Sequence, residues 1–259
     1  MAKTIYLFIT TKQRPQELAS CLESLKSQVM GAGHYEFKCF LLADEIEQAT
    51  YEVYKDHLDW VSLISLTGTN GLPLLYNMML DILVTYKARH EQRIDYVCYF
   101  QDDVVISASD RYFDIAVNAL DNSGEDVDFF TGFYTPLHPG FDKKLIGKDE
   151  FILSDSIDGK NFFCAYDTLT RIGYLPDRFD NGLKRGNPGP VKGSGFDLYL
   201  WKDALNSSSN VKKVNLCKKD LVKTIGAKNS TWGNKGDLFI NKFKRIVKRK
   251  VHTKHQPLL

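Results

Sequence analysis

Four apolar, β-branched runs, each separated from the next by a stretch with helical spacing, constrain this chain more than any other feature. The runs are Thr4–Thr11, Phe37–Ala43, Trp60–Leu66 and Asp95–Ile106. Between the first two, Leu18, Cys21, Leu22 and Leu25 recur three and four residues apart behind Pro15, which suits the first turn of a helix. A second helical stretch covers residues 46–57, and Leu74 to Tyr86 reads as a long apolar helix. Alternating strands and helices of these lengths imply a mostly parallel sheet with helices on both faces, because parallel neighbours need a crossover. Right-handed crossovers bring the ends of all four strands to one edge. Residues Thr10–Arg14, Asp44, Thr69–Gly71 and Gln101–Asp103 would then line a single crevice. That is where open α/β sheets bind their ligands.

The fourth run is the most informative. Tyr96-Val97-Cys98-Tyr99-Phe100 leads into Gln101-Asp102-Asp103, and Val104-Val105-Ile106 resumes the apolar pattern. Two adjacent aspartates cannot lie in a core without partners, since an unpaired buried carboxylate is very costly. The pair is therefore expected where the strand surfaces. Close carboxylates there suit a hard divalent cation and a phosphate-bearing ligand; an Asp-rich turn with no ligand is the plainer alternative. No G-x-G-x-x-G follows the first strand, and no G-x-x-x-x-G-K-[ST] is present, which disfavours a dinucleotide dehydrogenase and a P-loop NTPase.

Downstream, Asp110 is expected to cap a helix over Tyr112–Leu120, and Val127 to Tyr134 reads as a further strand. Phe151–Ser154 and Lys160–Tyr166 suggest an antiparallel addition to the sheet, and Thr168–Ile172 a short helix. Asp180 to Gly195 holds five glycines and two prolines together with Lys184, Arg185 and Lys192. A loop of that kind is either floppy or a flap that closes over phosphates. Asp197, just beyond it, reads equally as a first-turn helix acid or as a general base.

Charge is unevenly distributed. Residues 1–209 carry 20 Lys/Arg against 30 Asp/Glu, whereas residues 210–259 carry 14 against 2. Residues 236–259 form a separate tail in which Phe239, Ile240, Phe243, Val247 and Val251 share one helical face amid lysines and arginines. Such a basic amphipathic helix suits DNA or an anionic membrane surface, or else docks on its own acidic body. The five cysteines have no C-x-x-C spacing and read as buried reduced thiols. Tyr6–Ile9 is too short for a signal sequence or a membrane span, so the expected location is the cytoplasm.

Taken in order, Thr4–Pro15, Asp44, Thr69–Asn77, Gln101–Asp103, Asn161–Leu175 and Gly193–Leu200 resemble a GT-A-fold glycosyltransferase of the family-2-like, inverting kind. The resemblance spans roughly residues 3–235 and rests on the ordered set, since no single motif is strict. It implies that Thr10, Thr11, Lys12 and Arg14 hold the nucleotide, that Asp44 contacts base or ribose, and that Asn70, Gly71 and Asn77 frame the pocket. Gln101-Asp102-Asp103 matches the family's Asp-x-Asp motif, making Asp103 the ligand of manganese or magnesium and Gln101 and Asp102 donor contacts. Lys184, Arg185 and Lys192 become lid cations on the phosphates. Asp197 becomes the catalytic base. The chain departs from the family pattern at Gln101, where an acid is usual, and at Thr224, where a histidine often completes the metal shell. These departures leave open whether the metal is required. The implied donor is a nucleotide sugar, with a UDP-sugar favoured. The implied acceptor is a hydroxyl on a glycan, or on a hydroxylated DNA base in a viral modification system acting in the host cytoplasm. A nucleotidyltransferase would want glycines in the loop Thr10–Pro15, which has none. The remaining alternative is a non-catalytic DNA- or membrane-binding protein with a degenerate enzyme body.

Overall fold

The computed structural model describes residues 2–66, 72–90, 93–107, 111–124, 127–132, 140–154, 159–174, 214–218 and 220–226. Strand β1 (Lys3–Thr11), helix α1 (Pro15–Gly31), β2 (Tyr35–Asp44), α2 (Gln48–Lys55), β3 (Ser62–Leu66), α3 (Leu72–His90) and β4 (Tyr96–Gln101) follow one another as the hydrophobic pattern demands. Then come β5 (Val104–Ile106), α4 (Tyr112–Asn122), β6 (Val127–Thr131), β7 (Gly140–Ile146), β8 (Asp149–Ser154), β9 (Asn161–Ala165), α5 (Tyr166–Ile172), β10 (Val214–Cys217) and β11 (Val222–Thr224).

Nine of these strands form one sheet in the order β3-β2-β1-β4-β9-β6-β10-β8-β7, and β3, β2, β1 and β4 run parallel. Every residue of β1 after Lys3 is buried, because both faces of the sheet are covered. Ile5, Leu7 and Ile9 point to one core with Leu18, Cys21, Leu22 and Leu25 of α1 and with Phe113, Ala116 and Val117 of α4. Tyr6 and Phe8 point to the other, with Leu75, Tyr76, Met79, Leu80 and Leu83 of α3. The period-2 alternation of the strand thus serves two helical layers at once. α1 begins with Pro15 and presents its three- and four-spaced apolar residues to the first core.

The antiparallel part of the sheet is not confined to an edge. β9 lies between β4 and β6 and runs antiparallel to both. Its run Phe162-Phe163-Cys164 is fully buried on both faces. Phe162 stacks on Tyr99 with ring centroids 4.8 Å apart, and Phe163 stacks on Tyr96 at 5.1 Å. Burying each such ring contributes about 1.5–3 kcal/mol, which explains why this short segment takes a central position. The hairpin β7–β8 is the true outer addition, and β10 joins it to β6. β6 ends at Thr131, short of the expected Tyr134; residues 133–139 lie outside the described set.

After Asp102 and Asp103 the chain leaves the main sheet. β5 pairs instead with β11 in a separate two-stranded antiparallel ribbon, Val104 opposite Thr224. At Gly132 an added Cβ would run into Val222 Cγ2 well inside van der Waals contact, so only glycine lets β11 pack there. All five cysteines are buried thiols outside any disulfide, as the absence of paired spacing predicts. Burial pushes the Cys39 thiol up to about 12 and holds Cys21, Cys98 and Cys164 well above the ordinary thiol value, so none of these four is a ready nucleophile. No described helix is long and apolar enough to cross a membrane. The expected flap at 180–195 and the basic helix at 237–251 lie outside the described residues.

Candidate active site

The register of the parallel strands places their carboxyl ends side by side. Thr10 is opposite Gln101, Thr11 is opposite Ala43, and Asp44 is opposite Leu66. The turn after β1 carries Gln13 at φ 49° and the turn after β2 carries Glu45 at φ 65°, left-handed conformations that cost a non-glycine residue of order 1–2 kcal/mol. Both strained residues flank the edge where the polar residues collect.

Asp102 and Asp103 form the turn that follows β4, but they do not surface: Asp102 is fully buried and Asp103 is 8% exposed. Burial is possible because partners converge on them. The Asp102 carboxylate accepts from Thr11 Oγ1 at 2.7 Å and from the Lys12 backbone N–H at 3.3 Å, and it pairs with the Arg14 guanidinium. Its own N–H donates to Thr10 O at 3.0 Å, closing the loop against the strand. Burial still pushes the Asp102 carboxyl up to about 6. Arg14 and Thr11 oppose that rise and the neighbouring Asp103 adds to it. Asp102 is thus the anchor of the β1–α1 loop, with all its accessible valence turned toward Thr11–Arg14.

Asp103 is held differently. Its Oδ2 lies 3.3 Å from Arg14 Nη1 and 3.6 Å from Lys160 Nζ. Its Oδ1 is buried and has no partner among the described residues. Ile225 N–H donates to the Asp103 carbonyl at 2.8 Å, which brings Thr224 next to the acid pair. Thr224 Oγ1 is likewise buried without a partner among the described residues. Beside this cluster, Lys12 Nζ pairs with Asp44 at 3.0 Å; Asp44 is 1% exposed while the lysine side chain is nearly one-third exposed.

Gln101 is engaged by the turn that precedes β9. Its side-chain amide donates to Gly159 O at 3.1 Å, and its backbone N–H donates to Lys160 O at 2.9 Å. These two bonds fix the Gly159–Lys160 turn against the end of β4 and so deliver Lys160 to Asp103. Sequence reasoning did not find Lys160, because its place depends on β9 pairing with β4, a contact made some sixty residues away in the chain. It placed Asn161 in the Asn161–Leu175 stretch of the resemblance but gave its side chain no role. That side chain is fully buried in the sheet; Nδ2 donates to Tyr99 O at 3.1 Å and to the Tyr112 hydroxyl at 2.8 Å, and Oδ1 accepts from Gly132 N–H at 3.0 Å. The amide is fully used and ties β4, β9, α4 and the end of β6 together directly under the site.

Of the residues singled out from sequence, the structure brings Thr10, Thr11, Lys12, Arg14, Asp44, Gln101, Asp102 and Asp103 to one strand edge. Thr10 bonds the Tyr99 hydroxyl at 2.9 Å. Asn77 sits half-buried in the second turn of α3. Asn70, Gly71, Lys184, Arg185, Lys192 and Asp197 lie outside the described residues.

A divalent cation can be tested against this donor set. Among the described residues no three Asp, Glu, His or Cys side chains converge. The two unpartnered buried oxygens, Asp103 Oδ1 and Thr224 Oγ1, are hard donors. Magnesium-type ions are commonly held by one or two carboxylates, with substrate phosphates completing the shell. The residues therefore fit a cation that shares its coordination with a diphosphate.

Several solved structures share this fold. The chain resembles S. aureus TarS residues 1–349 with a TM-score of 0.54 and 15% identity, covering 87% of this chain and 60% of that one. It also resembles the same TarS fragment in complex with UDP, at a TM-score of 0.50 and 14% identity. A third likeness is to the mannosyltransferase PcManGT from Pyrobaculum calidifontis in complex with GDP-Man and Mn2+, with a TM-score of 0.52 and 11% identity over 84% of this chain and 57% of that one. The chain spans 57–60% of the length of the TarS fragment and the mannosyltransferase, and 37% of the longer TarS structure. The fold is the GT-A type that these glycosyltransferases share. No family model and no curated protein sequence matches the chain.

Proposed function

We propose that the chain is a glycosyltransferase that moves a sugar from a nucleotide-sugar donor, a UDP-sugar in the first instance, to a hydroxyl acceptor by inverting displacement. The observation that carries this reading is the neutralised carboxylate cluster at one strand edge: Asp102 and Asp103 met by Arg14 and Lys160, with the Lys12–Asp44 pair beside them. Alternating cations and acids of that size suit a nucleoside diphosphate, whose phosphates take the cations and whose sugar hydroxyls take the acids.

In this reading Asp44 accepts from the ribose or base, and Lys12, freed from it in part, faces the phosphates. Thr10 and Thr11 line the floor of the pocket, with Asn70, Gly71 and Asn77 framing the nucleotide and Gln101 and Asp102 shaping the donor end. Asp103 Oδ1 and Thr224 Oγ1 would hold manganese or magnesium, which when bound supplies Lewis-acid neutralisation of the departing diphosphate. Arg14 and the lid residues Lys184, Arg185 and Lys192 add fixed positive charge to the same leaving group. Asp197 takes the proton from the acceptor hydroxyl as its oxygen forms the new bond to the anomeric carbon, and the bond to the diphosphate oxygen breaks on the opposite face. The acceptor is a glycan hydroxyl or a hydroxylated DNA base, and the basic residues 210–259 favour an anionic carrier in either case.

The test is incubation of the purified full chain with a panel of nucleotide sugars and manganese, following slow donor hydrolysis. Hydrolysis of one donor in preference to the rest supports the reading. Absence of turnover together with absence of nucleotide binding would overturn it in favour of a non-catalytic binding protein.

A further inference from the structure

Asp103 is met by two cations, Arg14 and Lys160. Among the described residues, two carboxylates at the end of β4, Asp102 and Asp103, face the cations Arg14 and Lys160, and Lys12 pairs with Asp44 beside them. A doubly charged ion arriving alone at Asp103 Oδ1 would meet two cations already seated on the same carboxylate. An ion arriving with a diphosphate brings its own countercharge, and the same site then accepts both.

The two cations are not equally free to yield. Arg14 bridges both acids, and its side chain is only 15% exposed. Lys160 has its backbone pinned, since Gln101 donates to both Gly159 O and Lys160 O. Its side chain, however, is 35% exposed, and its contact with Asp103 is the longer one, at 3.6 Å. A lysine is a compact charge on a flexible four-carbon stem, suited to passing from one anion to another without moving its Cα.

Resting on the nucleotide-sugar reading above, we propose that Lys160 couples the divalent cation to the donor. It serves Asp103 when no donor is present and transfers to the diphosphate when donor arrives, so that cation and nucleotide enter together. The Gln101 amide is the second half of the arrangement: it carries no charge to attract the ion early, and it fixes the turn from which Lys160 swings.

The experiment is calorimetric titration of the full chain with Mn2+ alone, with UDP alone and with both, for the wild type, Lys160→Ala and Lys160→Arg. In the wild type Mn2+ should bind much more tightly with UDP than without it. In Lys160→Ala, Mn2+ alone should tighten and metal-free UDP should weaken, each by about tenfold, the scale of one unit charge at partly solvated range. Lys160→Arg should restore both affinities toward wild type, and matching melting curves would exclude misfolding. If Lys160→Ala leaves both affinities within about twofold of wild type while the wild type still binds UDP with Mn2+, the coupling role is wrong and the donor reading stands. A wild-type chain that binds no UDP with or without Mn2+ overturns the donor reading and this inference with it.

Discussion

Replacing Arg14 by Met removes the counter-charge of two buried acids while keeping most of the side-chain volume. Asp102 is fully buried, and the Arg14 side chain is 15% exposed, so this is a buried ion pair deprived of one member. Such a loss typically costs about 3–5 kcal/mol, because the remaining charge is left without compensation. The size must depend on pH. In the wild type the Asp102 carboxyl stands at about 6, raised from its ordinary 3.8 by burial and held down by Arg14 and Thr11. A carboxyl whose folded value lies above its unfolded value stabilises the fold fully below the unfolded value, and that stability is lost as pH rises through the folded value. Taking away Arg14 raises the folded value again. Below pH 6 both proteins hold Asp102 largely protonated and the linkage difference vanishes; above it the variant falls progressively behind. Urea unfolding of wild type and Arg14→Met at pH 5, 6.5 and 8 should therefore show a destabilisation that grows by about 1.4 kcal/mol for each unit of additional shift. A stability difference that is the same at pH 5 and pH 8 would refute the claim that Arg14 holds a buried ionised Asp102 in place.

Four further outcomes are expected. Gly132→Ala should lower stability by about 1–3 kcal/mol through overpacking, and Val222→Ala in the same chain should recover part of the loss, as chemical denaturation of the two singles and the double would reveal. Asn161→Leu strands the Gly132 N–H and the Tyr99 carbonyl without partners and should cost about 2–4 kcal/mol, with a fall in melting temperature larger than that of Asn122→Leu on the exposed end of α4. Asp197→Asn should reduce turnover by about 10²–10⁴ with donor affinity nearly unchanged; a loss smaller than tenfold would remove Asp197 from the role of base. If residues 236–259 grip duplex DNA, log K should fall by about 0.9 per phosphate contact per decade of salt, and truncation at Gly236 should abolish retention on a DNA column; retention indifferent to both excludes that use of the tail.

The half of the fold built by local rules was legible in the sequence. β1 through β4 and the helices between them follow from periodicities of two and of three-to-four residues, and the crossover rule then places Thr10–Arg14, Asp44 and Gln101–Asp103 on one edge. What escaped depends on contacts between distant segments. Nothing in the composition of Lys160-Asn161-Phe162-Phe163 tells a central strand from an outer one, so neither the lysine beside Asp103 nor the amide under β4 could be foreseen. The acids themselves were placed correctly along the strand and wrongly in depth. An unpaired buried carboxylate is indeed prohibitive, but Thr11, Lys12 and Arg14 return from the first loop to pair them. The departure of β5 to meet β11, which sets Thr224 beside Asp103, is another long-range choice.

The position of β10 has a practical consequence. Because the hairpin β7–β8 is hydrogen-bonded to the rest of the main sheet only through Val214–Cys217 among the described strands, a ribosome that has delivered everything up to residue 213 has made a protein with two raw β edges, one on β6 and one on β8. Any shortened version designed for crystallography or expression should therefore keep residues 214–226. Cutting ahead of them would not trim a dispensable tail but would pull a rung from the middle of the ladder, and the product should be recovered as aggregate and not as a smaller domain.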